Sequence, residues 1–342
     1  MFKDAVQEFS RSLLRIACAV AVVVACVVAF VVAMTTMPGS SHRGPVSPLN
    51  TEEQSLSAEL RRHVTAIASV EHNVGRHAEL EAAAIYLEQE LTASGYAVRR
   101  EEFKASGKTV RNLELTIPSR RTPGRSAVVV GAHYDSAQGS PGANDNGTGA
   151  AAVLALARRL KDIGETSASD LVLVLYTNEE PPYFRTEQMG SSIHAKALVD
   201  RGPPVKAMLS LETMGYFSEQ SGSQRYPWPL NLLYPEQGDF IAFVGTTADW
   251  RFVRRVVRSF RTHAAFPSEG IAAPRFVPGI DWSDHAAYVD AGIPALMVTD
   301  TAPYRYPFYH TGKDTPDKID FDRLARVVAG LQQVVRDLAA EP

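Results

Sequence analysis

His133, Asp145, Glu179, Glu180, Glu212 and His310 are the side chains of this sequence best suited to chemistry. They lie in the short segments GAHYDS, GANDNG, YTNEE, SLETMG and YHTGKD, each of which follows or closes an apolar run with the pattern of a buried strand. An α/β enzyme presents its ligands in this way: strands end, and the loops at their carboxyl ends carry the reactive groups. Two imidazoles and several carboxylates form a hard-to-borderline donor set suited to zinc. Cysteine cannot contribute. The chain has 2 cysteines, Cys18 and Cys26, and both lie in an N-terminal apolar run, so the folded domain has neither a disulfide nor a thiol nucleophile.

Taken singly, each residue has an ordinary explanation beside the chemical one. A His at a strand end, such as His133, is more often structural than a ligand. Asp135, two positions on, either fixes the tautomer of a metal-bound His or serves as a turn residue. Asp145, in the tight turn ANDNG before a helix, is either an N-cap or a carboxylate shared by two metal ions. Adjacent Glu179 and Glu180 repel unless solvent or a cation separates their charges; a metal would take one and leave the other as a base. Glu212 directly follows the apolar segment 208–211, where an unpaired carboxylate is costly. His310 is preceded by the aromatic and proline-rich stretch 302–309, which suggests a packed, partly dry wall.

The elements that must position these groups follow from periodicity. Residues 51–53 start a helix, with Thr51 at the cap and acids in the first turn; Leu56, Leu60, Val64 and Ile67 continue it at helical spacing. A second helix is expected over 77–93, ending near Gly95. Segments 96–103 and 110–117 alternate and are rich in β-branched and aromatic residues, as two neighbouring strands would be. Apolar runs at 127–132, 171–176 and 205–211 read as buried strands, with further strands at 240–244 and 295–298. Helices are expected over 147–160, 193–199, 250–260 and 321–338. Strands alternating with helices imply an α/β sheet covered on both faces. The irregular loops 181–188 and 219–238 suit the rim of a cleft.

Residues 16–34 form an uncharged apolar run. At ~1.5 Å per residue such a run spans a hydrocarbon core of ~30 Å. Arg11 and Arg15 precede it, with Lys3 further out, which places residues 1–15 on the cytoplasmic side and the rest of the chain across the membrane. A cleaved signal peptide is the competing reading, with a shorter apolar region and a small-residue cut site as its marks. The stretch 23–26 faintly resembles a lipoprotein cleavage box, but the apolar run continues past Cys26. Residues 35–50, rich in Pro, Ser and Gly, read as a linker holding the domain 51–342 off the membrane. The net charge of −3, with arginines scattered over helices, gives no sign of nucleic-acid binding.

The segments in this order, together with Trp282-Ser283-Asp284-His285 and Asp314-Thr315-Pro316-Asp317, resemble the M28 family of zinc peptidases, over roughly residues 76–338. The family groups aminopeptidases, glutamate carboxypeptidases and glutaminyl cyclases on one fold. The resemblance implies a three-layer α/β/α architecture with a mixed, mostly parallel sheet and a two-zinc site at the strand ends. It implies that His133, Asp145 and Glu212 hold one Zn2+ and that Asp145, Glu180 and His310 hold the other. It further implies Glu179 as general base, Tyr309 as oxyanion donor and Asp135 as the acid behind His133. The Glu212 position is more often Asp in the family, and the stretch PPYFRTEQ after Glu180 stands where a short Gly-rich turn is common. The expected activity is removal of N-terminal residues from peptides. A glutaminyl cyclase, whose branch typically holds one zinc, and a non-enzymatic receptor-like module on the same fold are the alternatives; loss of ligands would mark the latter, and none is missing here.

Overall fold

The computed structural model describes residues 2–341. In chain order the helices are α1 (Phe2–Thr35), α2 (Thr51–Ile67), α3 (His77–Ala93), α4 (Thr148–Arg159), α5 (Ile163–Thr166), α6 (Gly190–Arg201), α7 (Trp250–His263), α8 (His285–Asp290), α9 (Ala302–Arg305) and α10 (Phe321–Ala340). The strands are β1 (Arg99–Ala105), β2 (Lys108–Ile117), β3 (Ala127–His133), β4 (Asp170–Tyr176), β5 (Val205–Glu212), β6 (Ile241–Thr246), β7 (Ser268–Ala273) and β8 (Ala295–Thr299). They form one 8-stranded sheet in the order β1-β2-β4-β3-β5-β8-β6-β7. β4, β3, β5 and β8 run parallel, whereas β2 and the β6–β7 pair run against them.

The chain leaves β3 for β4 on one side and then crosses to β5 on the other. Strand order reverses there, and the crevice beyond the carboxyl ends of β3 and β5 is where an open α/β sheet binds ligands. The central strands are buried on both faces, which explains their unbroken apolar runs. One face packs Val128, Val130, Leu173, Leu209, Phe243 and Val298 against α2, α4, α7 and α10. The other packs Val129, Val174 and Met208 against α6 and α8. Over β6 and β7 that second layer is no helix but loop, with Tyr226, Leu230 and Tyr234 resting on Phe240, Val244 and Ile271.

Three sequence readings change. The α2 cap is Asn50, not Thr51: Asn50 Oδ1 accepts the Glu53 N–H at 2.9 Å, and the Glu53 carboxylate accepts the Asn50 N–H at 2.9 Å. Strand β7 was not expected from its sequence, SEGIAA, because Ser, Glu and Gly weaken the strand pattern at a sheet edge. Residues 36–50 do not hold the domain at a distance. Met37 is buried against the core, Arg261 donates to the carbonyls of Met37, Pro38 and Gly39, and Arg326 donates to Ser47 O.

Candidate metal centre and active site

His133 closes β3, Glu212 closes β5, and Glu179 and Glu180 follow the end of β4. Parallel pairing of β4, β3 and β5 brings these three ends side by side. The connection from β3 to α4 supplies Asp145, and the connection from β8 to α10 supplies His310.

Neighbouring polar groups bolt the Asp145 turn in place. The Asp314 carboxylate accepts the N–H of Asn144 at 2.8 Å and of Asp145 at 3.1 Å. Asn144 donates to Asp300 at 2.9 Å and accepts the Gly215 N–H at 2.9 Å. Asn146 donates to Leu211 O at 2.8 Å and accepts the N–H groups of Thr213 and Gly149. Capping of the following helix therefore falls to Asn146, and the Asp145 side chain is left for other work. Gly149 allows this approach: a Cβ there would lie 2.4 Å from both Asn146 Oδ1 and Leu211 O. Gly142, with φ of 73°, supplies the left-handed residue that starts the turn.

Asp145 joins two ligand groups. Its Oδ1 lies 3.4 Å from His133 Nε2 and its Oδ2 lies 3.0 Å from His310 Nε2. Glu212 Oε2 is 3.3 Å from His133 Nε2, and Glu180 Oε2 is 3.2 Å from His310 Nε2. Within each set, His133–Asp145–Glu212 and Asp145–Glu180–His310, the donor atoms lie within 4.8 Å of one another. Glu179 faces the same space, with its Oε2 3.7 Å from His133 Nε2, but belongs to neither set.

Asp135 lies behind His133 and has a second task besides. His133 Nδ1 bonds the main-chain oxygen of Asp135 at 3.0 Å, with the carboxylate at 3.6 Å. The Asp135 carboxylate also accepts the N–H groups of Glu179 and Glu180, at 3.1 and 3.2 Å, and so fixes the backbone of both acids. Tyr309 stacks on His310, with ring centroids 3.9 Å apart. Ser283, in the WSDH segment, donates to Glu212 at 2.8 Å.

The electrostatics show a site with more buried acid than its bases can neutralise. Burial pushes Glu179 well above the usual carboxylate range, and the charges of Glu212 and Glu180 push it further. Burial, with the Asp145 charge, raises Glu180 to about 8. Burial also raises Glu212. Asp145 goes the other way: burial opposes its ionisation, but the nearby imidazoles of His133 and His310 hold it below the usual range. Burial would lower His310, yet Asp145 and Glu180 raise it to about 10. In these conditions protons occupy the place of cations. His133 Nε2, Asp145 Oδ2 and Glu180 Oε1 are buried without a hydrogen-bond partner. Unpartnered nitrogen and oxygen donors, converging and in excess negative charge, fit zinc.

Sequence reasoning missed the supporting acids. Asp300 and Asp314 are fully buried, and burial raises them to about 7 and about 6. Asp284 is also fully buried, with neither carboxylate oxygen hydrogen-bonded, and burial raises it to about 7. Asp284 and Asp314 had entered only within the two segments that carry the family resemblance, without a role, and Asp300 not at all.

An apolar pocket opens beside the cluster. Glu212 and Tyr309 stand at one end, and Leu230, Phe240, Val244, Ile271, Ile280 and Met297 form its walls. The loop 219–238 roofs it, as a cleft rim should.

Fold and cluster together define a class, a mixed-sheet α/β metallohydrolase. The sequence pattern of peptidase family M28 matches residues 112–335. The chain is 39% identical over 268 residues to the uncharacterized protein YfbL of Escherichia coli (strain K12), covering 76% of this chain and 79% of that one. It is 28% identical to leucine aminopeptidase 1 of Arthroderma otae, covering 82% and 75%. The crystal structure of the Legionella pneumophila LapA aminopeptidase superposes with a TM-score of 0.65 at 20% identity, over 87% of this chain and 78% of that one. The Fimbriiglobus ruber glutaminyl cyclase superposes at 0.60 and 19%, over 86% and 97%. At such identities the structural likeness is one of fold. The chain belongs to peptidase family M28 and is a metallopeptidase of that family, for which zinc is the implied metal. The N-terminal helix is long and apolar enough to cross a membrane, as an anchor or a signal sequence would be.

Proposed function

We propose that the protein is a di-zinc aminopeptidase held to a membrane by α1, with its domain on the extracytoplasmic side. The observation that carries the catalytic reading is Asp145, which touches both imidazoles from one carboxylate and so stands between two complete ligand sets. His133 and Glu212 would hold one Zn2+, Glu180 and His310 the other, and Asp145 would bridge. Zinc there supplies Lewis acidity, polarising the scissile carbonyl and lowering the pKa of the attacking water towards ~7. Glu179, which faces the cluster without being one of its ligands, takes a proton from the attacking water and delivers it to the leaving amine. Tyr309, kept protonated by burial and by the acids around it, donates its O–H to the carbonyl oxygen as charge develops there. Glu212 meets the substrate's free α-amine at the pocket mouth, and the apolar pocket takes the side chain of the residue being removed. Large apolar first residues are therefore preferred.

A carboxypeptidase needs a free cation for the substrate's carboxylate. Arg185 and Arg275 both bind Asp281, and Arg305 is buried against Phe240 O and Gln224. All three arginines are thus already engaged within the protein. The cyclase reading is disfavoured by the second ligand set around His133. The anchor reading rests on the last turn of α1: Met34 belongs to the domain's hydrophobic cluster and Ala33 packs against it, and cleavage after them would remove that contact.

The test is incubation of the full chain with zinc and a mixed peptide library, followed by mass spectrometry. Stepwise loss of N-terminal residues, led by Leu, Met and Phe and stopped by a chelator, is the expected result. Loss of ammonia from N-terminal Gln without cleavage would establish the cyclase instead.

A further inference from the structure

The segment leaving α1 is laid along two rails of the domain. On one, Ser41 Oγ accepts the Ser268 N–H at 2.9 Å, and Met37 packs at Gly270. On the other, Arg261 donates to the carbonyls of Met37, Pro38 and Gly39, and Arg254 to that of Thr36. Followed backwards, from 41 to 36, the segment climbs β7 towards its carboxyl end and α7 towards its amino end. Both rails put the exit of α1 at the same end of the domain.

No spacer separates this exit from the apolar run. The uncharged stretch continues to Met34, which is already buried in the domain. A bilayer crossed by residues 16–34 must therefore have its surface within about one helical turn, ~5 Å, of the domain. The headgroup layer adds ~5–7 Å on each side of the hydrocarbon. The domain surface around the exit is thus placed in the headgroups.

That surface has the chemistry for it. Helix α7 buries Phe252, Val253, Val256, Val257 and Phe260 and turns Arg251, Arg254, Arg255 and Arg258 outward. Arg255 pairs with Glu341 at 2.7 Å, whereas no acidic partner lies at Arg251, Arg254 or Arg258 among the described residues. Just beyond β7, Phe276 is 86% exposed. Arginines beside an anchor are drawn to anionic headgroups. An aromatic ring settles at the same level.

We propose that the arginine face of α7, with Phe276, rests on the headgroups of an anionic bilayer around the exit of α1. This rests on the reading of α1 as an uncleaved anchor. Orientation follows from topology. β6 and β7 run antiparallel to β8, and hence to β5 and β3. The metal ligands stand at the carboxyl ends of β3 and β5, so the cluster lies at the end of the domain away from the membrane and opens to the aqueous side.

The test uses the full chain with Cys18 and Cys26 replaced by Ser, reconstituted in phosphatidylcholine–phosphatidylglycerol nanodiscs. A single spin label is placed by Phe276→Cys or, at the opposite end, by Glu187→Cys. Power saturation then compares collision with oxygen, enriched in lipid, against collision with a water-soluble nickel chelate. The label at 276 is expected to collide with oxygen and be shielded from nickel, and the label at 187 to show the reverse. Adding Arg251→Glu and Arg258→Glu is expected to lower the oxygen-to-nickel collision ratio at 276, with peptide turnover unchanged; an unchanged ratio would mean that the arginine face does not engage the headgroups. An aqueous label at 276 in the parent chain would overturn the proposal, as would one shielded from both reagents, which would mean a protein partner covers the face. Flotation with lipid vesicles separates this result from failure of the anchor: a chain that does not float has no anchor, whatever its arginines do.

Discussion

Glu179 faces the ligand cluster without belonging to either set, which leaves it free for the proposed role of base. Glu179→Gln keeps the shape and removes the proton acceptor. Turnover is expected to fall about 10²–10⁴-fold, with zinc content, measured by atomic emission, unchanged. Loss of zinc together with activity would mean that Glu179 is a ligand instead. Tyr309→Phe retains the ring stacked on His310 and loses only the O–H. Its expected cost is about 10²–10³-fold in kcat with little change in KM, the pattern of a donor that acts in the transition state. The candidate ligands were legible in the sequence because ligand types and strand ends are local properties, whereas the roles proposed for Glu179 and Tyr309 came from the family resemblance. The second task of Asp135 was not legible: besides standing 3.6 Å behind His133 Nδ1, its carboxylate accepts two backbone N–H groups from the next strand's end, a pairing that only the fold brings about.

At the level of elements, the buried strands β3, β4 and β5 announced themselves as apolar runs, whereas β7 did not, because at the sheet edge a Ser-Glu-Gly start is tolerated. The braces of the Asp145 turn were also hidden. Asn144 and Asp300 are 156 positions apart, and Asn144 and Asp314 are 170 apart, so only the folded chain pairs them. Those braces carry a prediction. Asp314→Ala leaves the N–H groups of Asn144 and Asp145 unsatisfied, at about 1–3 kcal/mol each. The loosened turn is expected to lower zinc affinity about 10–100-fold in a competitive chelator titration. Phe243→Ala, buried in the main cluster away from the ligands, should cost about 3–5 kcal/mol of stability yet leave the zinc affinity of the folded protein intact. The pocket element makes a second prediction. Met297→Trp places bulk in the pocket wall. The ratio of kcat/KM for N-terminal Leu over Ala is expected to drop by about 10-fold or more. An unchanged ratio would mean that the removed side chain binds elsewhere.

For the whole molecule, the excess of buried acid makes stability, protonation and metal a single coupled system. In the metal-free protein Glu180 is raised from 4.5 to about 8, so its favourable contribution is complete below pH 4.5 and is lost as pH rises through about 8. His310 is raised from 6.5 to about 10, so its contribution is present below 6.5 and is lost as pH rises towards 10. Both act in the same direction: metal-free protein weakens as pH climbs from 6 to 8. Zinc requires these same groups without their protons, so its affinity strengthens over that range and binding releases protons. Each tenfold gain in affinity adds about 1.4 kcal/mol to the stability of the loaded form at fixed free zinc. The gap in Tm between zinc-loaded and chelated protein is therefore expected to widen steadily from pH 6 to pH 8. Titration calorimetry in buffers of different ionisation enthalpy should show proton release on zinc binding, declining as pH rises. A gap that stays constant, with no protons released, would mean that the acids of the cluster are already ionised without a metal, and that something other than zinc balances their charge.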